Sequence, residues 1–112
     1  MEWNLTKIAK WHRQALCGCK VTQQRKKLHL ECREYFDALK FGTYAAKLEE
    51  LADVYIAAAA LYMRFKDFSG WFVVQRIEKM KAWPEIADAV DAKMAVNVER
   101  EFVLIGDEWR HK

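Results

Sequence analysis

Four carboxylates, in two pairs, are the side chains of this sequence best placed to do chemistry. Glu31 and Glu34 are three residues apart, and so are Glu50 and Asp53. Residues at that spacing share one face of a helix. Residue 42 lies midway between Glu31 and Asp53, and also midway between Glu34 and Glu50. If the chain turns back on itself there, the spacing predicts Glu31 level with Asp53 and Glu34 level with Glu50. Four facing carboxylates repel one another unless a cation sits between them. An all-oxygen ligand set with open positions suits Mg²⁺ or Mn²⁺. Such a metal binds phosphate oxygens and lowers the pKa of a bound water. Each pair alone reads equally well as solvated surface charge. Against that, Glu50 and Asp53 share a face with Val54, Ala57, Ala60 and Leu61. A carboxylate on a face that is otherwise buried needs a partner, either a metal or a Lys or Arg side chain.

Helices must position these groups. Asn4 or Thr6 can cap a first helix carrying Leu5, Ile8, Ala9, His12, Ala15 and Leu16 at helical spacing, with Gly18 ending it. A second helix is expected from about Thr22 to Lys40, with Leu28, Cys32, Tyr35, Phe36 and Leu39 as its apolar stripe. Phe41-Gly42-Thr43 reads as a glycine stop followed by the next N-cap, so the third helix, about Tyr44 to Phe65, should lie antiparallel to the second. From Val54 to Met63 the third helix is apolar all round, which marks it as central. Asp67, Ser69 and Gly70 should break it. A shorter helix is expected over Trp71 to Lys81, and a last one from Pro84 to about Phe102, followed by a loose polar tail from Gly106. The fold class predicted is all-α: a single domain over residues 1–112, built as a four- to five-helix bundle with antiparallel central helices.

Composition is consistent with this. The 112 residues are 53% hydrophobic and 13% aromatic, enough for one core, and 4 Gly with 1 Pro are too few breakers for a many-stranded barrel. The net charge of +3, from 19 basic and 16 acidic residues, is too even to suggest a nucleic-acid partner. Residues 1–16 carry no continuous apolar segment of the kind a secretory leader needs. The uncharged run Val54–Met63 is about half of a bilayer span. The expectation is a soluble, cytoplasmic chain with no membrane partner. Cys17, Cys19 and Cys32 are odd in number and match no common zinc spacing, so they read as free thiols.

The acidic pattern resembles a known family. Glu31-Cys-Arg-Glu34, a gap, then Glu50-Leu-Ala-Asp53 is similar to the Glu-x-x-Glu and Glu-x-x-Asp motifs of the MazG-like all-α nucleoside triphosphate pyrophosphohydrolases. Lys47-Leu-Glu-Glu-Leu-Ala-Asp-Val-Tyr-Ile56 is close to that family's second motif, and Lys93-x-x-x-Asn97-x-x-Arg100 resembles the basic motif that follows it. The resemblance covers about residues 22–101. One departure is Leu30, which stands where many members carry a second Glu, and this bears on how many metal ions bind. The resemblance implies a MazG-like bundle that forms a homodimer or a dimer of dimers. It also implies Mg²⁺ held by Glu31, Glu34, Glu50 and Asp53, and attack of water on the α-phosphorus of a (deoxy)nucleoside triphosphate. The products would be a monophosphate and pyrophosphate, a reaction that cleanses the nucleotide pool.

Lys93, Asn97 and Arg100 fall on one face of the expected last helix, where cations can hold a triphosphate and offset charge as pyrophosphate leaves. The same cations could simply complement a helix end. Trp11, His12 and Tyr35 are the candidates for a base pocket, since the first helix should cover one end of the site; ordinary core packing is the competing reading. Trp71 and Trp83 read as core or dimer-interface residues. Two alternatives stand beside the leading reading: a phosphoribosyl-ATP pyrophosphohydrolase, whose second acidic motif is similar, and a non-catalytic helical adaptor that dimerises.

Overall fold

In a computed structural model, which describes residues 1–112, five helices are followed by a short hairpin. They are α1 (Leu5–Ala15), α2 (Val21–Phe41), α3 (Tyr44–Phe65), α4 (Phe68–Glu78) and α5 (Trp83–Asn97), then β1 (Phe102–Ile105) and β2 (Glu108–His111). The apolar run predicted to be central is central: α1, α2, α4 and α5 all pack against α3. Ala52 and every residue from Val54 to Leu61 are buried. The four consecutive alanines Ala57–Ala60 keep the axis thin, so neighbouring helices can approach on several sides. The number of helices is as expected, and no helix is long and apolar enough to cross a membrane.

Local chemistry sets the helix ends. Asn4 Oδ1 accepts from the Lys7 amide at 2.9 Å, and Thr43 Oγ1 accepts from the Ala46 amide at 3.1 Å, each satisfying a free donor at the start of a helix. Between α2 and α3 the chain reverses at Gly42. A Cβ there would lie 2.7 Å from the Ala38 carbonyl oxygen, so the turn is tight because residue 42 has no side chain. The α3–α4 break falls earlier than expected. Lys66 takes the left-handed conformation that ends α3, and Asp67 caps α4 through the Ser69 amide. Ser69 and Gly70 are therefore helical. Gly70 is a contact point, not a breaker: its backbone lies against Ala58, Leu61 and Tyr62 of α3.

The end of the chain differs from expectation. Helix α5 stops at Asn97 instead of reaching Phe102, and the tail is a β-hairpin, not a loose segment. Val96, Asn97 and Val98 are poor helix formers, and Val96 and Val98 are exposed, so packing does not hold the helix further. The hairpin pairs Phe102 with His111 and Ile105 with Glu108 around Gly106, whose φ is +63°. Aromatic and β-branched residues flanking Gly-Asp are a hairpin signal. The hairpin docks on the first two helices: Trp109 Nε1 donates to Gln23 Oε1 at 3.0 Å, and Phe102 meets Trp11 edge-on with ring centroids 5.6 Å apart.

Candidate metal and phosphate site

The α2–α3 hairpin brings the two acidic pairs together. Carboxylate oxygens of Glu31, Glu50 and Asp53 lie within 4.8 Å of one another. Glu34 stands at the exposed edge of the cluster. Its carboxyl is pushed above the ordinary range by burial first, then by the charges of Glu31 and Glu50. The equal spacing of the pairs about Gly42 thus translates into facing positions on the two helices.

Charge balance in the cluster is incomplete. Glu31 is 6% exposed; one of its oxygens meets Lys27 Nζ at 2.8 Å, while Oε2 is buried with no hydrogen-bond partner. Glu50 Oε2 is likewise buried and unpartnered. Lys93 Nζ, from α5, lies 3.3 Å from Asp53 Oδ2. A buried carboxylate oxygen without a donor is costly, and native folds rarely keep one unless something else binds there. The donor set fits a hard divalent cation: all oxygen, anionic, with two atoms unclaimed. Oxygens around one octahedral Mg²⁺ lie about 3–4 Å apart, so modest side-chain rotation closes this cluster onto such an ion. Glu31, Glu50 and Asp53 can hold a metal, with Glu34 beside them.

Asp53 carries the strain of this arrangement. Its carboxyl is pushed up to about 6, chiefly by burial and further by Glu31 and Glu50, with Lys93 opposing. A folded value above the unfolded 3.8 means that ionising Asp53 destabilises the metal-free fold. Its favourable contribution is full below about pH 4 and is lost as pH rises through about 6. Asp53→Asn removes that cost. In EDTA at pH 8 the variant is expected to melt about 3–8 °C above wild type, and the difference should vanish near pH 4. Thermal denaturation at the two pH values checks this; a variant no more stable than wild type at pH 8 contradicts the electrostatic account.

The basic residues are only partly where the sequence suggested. Lys93 is in the site. Asn97, the last residue of α5, is half-buried and its amide nitrogen lies 3.7 Å from Met94 Sδ. Arg100 is exposed and lies beyond the end of α5, so the three do not form one helical face.

The aromatic candidates also separate. His12 is a core residue. Arg64 Nη1 lies 2.9 Å from His12 Nδ1 and can only donate, so Nε2 carries the proton and donates to Gln24 Oε1 at 2.9 Å. Gln24 Nε2 in turn donates to the Ala57 carbonyl at 3.0 Å. Burial, then the Arg64 charge, lower the His12 pKa to about 4, so it is neutral at pH 7. Neither ring nitrogen is free for a ligand. Trp11 packs between His12 and Phe102. Tyr35 faces a different place, an apolar groove of about 510 Å³ between α2, α3 and α4, lined by Phe36, Leu51, Val54 and Phe72 and by none of the four carboxylates. Cys17, Cys19 and Cys32 are free.

Two side chains were not anticipated: Lys27, at the acidic cluster, and Arg64, which pins the end of α1 outside it. Lys27 carries a weak signal, since it lies four residues before Glu31 on α2. Arg64 carries none, because its partners are backbone carbonyls of His12, Leu16 and Cys17, far away in sequence. No protein-family model, curated protein or solved structure matches the chain.

Proposed function

We propose that this protein is a Mg²⁺-dependent nucleoside triphosphate pyrophosphohydrolase of the MazG-like type, cleaving (deoxy)nucleoside triphosphates to monophosphate and pyrophosphate. The observation that carries the reading is the pair of buried, unpartnered oxygens, Glu31 Oε2 and Glu50 Oε2, inside an acidic cluster with a lysine at its edge. Glu31, Glu50 and Asp53, with Glu34 beside them, would hold the ion. Bound there, Mg²⁺ would polarise the phosphate and make water a better nucleophile. Lys93 would hold the triphosphate and offset the charge of departing pyrophosphate. Glu34, exposed and with a raised pKa, would accept a proton from water at the open side of the cluster. Several large apolar side chains are exposed, including Phe36, Phe41 and Phe72, which favours assembly with a second copy of the chain.

Ligand binding to the folded state raises its melting temperature by mass action. Mg²⁺ with a non-hydrolysable deoxynucleoside triphosphate, at about 100-fold over its Kd, is expected to stabilise the protein by about 2.7 kcal/mol, or roughly 10 °C. A thermal-shift assay over all the common bases measures this. A flat response to every nucleotide overturns the enzyme reading in favour of a helical adaptor.

A further inference from the structure

Lys27 is the second cation at the acidic cluster, and its pairing with Glu31 is not explained by helix stability. Of the two orders for an i, i+4 ion pair, acid before base is the more stabilising; here the lysine comes first. The two ends of the pair are unequal. The Lys27 side chain is 47% exposed and free to swing, whereas that of Glu31 is 8% exposed and fixed in the cluster. Glu31 also keeps a second, unpartnered oxygen. Glu31 therefore needs a positive charge more than the helix needs the pair. The docked hairpin turn adds a further acid at this end of α2, Asp107, which lies 3.5 Å from Lys26 Nζ and leaves Lys27 to Glu31.

We propose that Lys27 is an exchangeable counterion of Glu31, which gives up the carboxylate when a divalent cation binds and then contacts the phosphate chain of the substrate. Lys27 on α2 and Lys93 on α5 thus flank the carboxylates from two helices, each paired with one acid. Each ammonium is a flexible point charge suited to a phosphate oxygen. The inference rests on the proposed metal-dependent reading of the site.

Two readouts test it. Lys27→Gln is expected to tighten Mn²⁺ binding, followed by electron paramagnetic resonance of the free ion, about 3- to 10-fold, because a competing unit charge leaves the ligand. It should also raise KM for the nucleoside triphosphate about tenfold while kcat stays within about twofold, the mark of lost binding of substrate and transition state alike. Lys26→Gln, which removes the same charge one residue away from a side chain paired with Asp107, is the control and should leave both unchanged. If wild type releases pyrophosphate but Lys27→Gln matches it in Mn²⁺ affinity or KM, the exchange is wrong and the site reading stands. If both variants change equally, the effect is general charge and the exchange is again wrong. If wild type binds no Mn²⁺ and releases no pyrophosphate, the site reading falls and takes this inference with it.

Discussion

Glu50→Gln is expected to lower Mg²⁺-dependent pyrophosphate release about a hundred- to a thousand-fold. The change keeps the size and the hydrogen-bonding reach of the side chain and removes its charge. Glu50 sits at the first position of the α3 pair, with Oε2 buried and unpartnered beside Glu31 and Asp53. A neutral amide there would place an N–H or a weaker carbonyl against the ion. The fold should tolerate the change, because it lessens repulsion among like charges. The loss should therefore appear in kcat/KM with no fall in melting temperature of the metal-free protein. Steady-state kinetics with a pyrophosphate-coupled assay, beside thermal melts in EDTA, separates the two. Full activity in the variant removes Glu50 from the metal site.

The second large effect concerns the framework. Gly→Ala inside a helix normally stabilises by up to about 1 kcal/mol. Gly70→Ala should do the opposite and destabilise by about 2–3 kcal/mol, lowering Tm by roughly 10 °C. The new Cβ would lie 2.5 Å from the Ala58 carbonyl oxygen and 2.8 Å from the Tyr62 amide nitrogen. Those are backbone atoms of the central helix and cannot turn aside as a side-chain tip can. To relieve the clash, α4 must move off α3, loosening the packing around Tyr55, whose hydroxyl donates to Glu78 Oε2 at 2.8 Å. A thermal melt showing Gly70→Ala at or above wild-type stability contradicts the close approach of α3 and α4.

Gly70 also shows where local reading of the chain reaches its limit. A glycine after Asp and Ser looks like a breaker, but it is helical because the backbone of α3 leaves no room for a Cβ. Helix α3, by contrast, runs over Tyr44–Phe65 as its apolar pattern and Thr43 cap predict. The carboxylate cluster was equally legible, since i, i+3 spacing and a turn at Gly42 are both local features and together place Glu31 near Asp53. What local pattern does not carry is the identity of distant partners. His12 had the periodicity of a helix face and the chemistry of a ligand; only the long-range contacts to Arg64 and Gln24 assign it to the core. Lys93 and Arg100 looked alike on a continued helix. The early end of α5 leaves Lys93 beside Asp53 and Arg100 outside the helix. The hairpin after residue 101 had a readable turn, Gly106-Asp107, which a helical pattern extended to Phe102 obscured.

The most direct test of the proposed reaction is the identity of its products. Purified wild-type protein is incubated with Mg²⁺ and each common ribo- and deoxyribonucleoside triphosphate, and the products are resolved by anion-exchange chromatography and ³¹P NMR. The site as described predicts monophosphate and pyrophosphate in equal amounts from at least one nucleotide, and none in EDTA. Release of diphosphate and orthophosphate, or no hydrolysis of any nucleotide with Mg²⁺ or Mn²⁺, contradicts it.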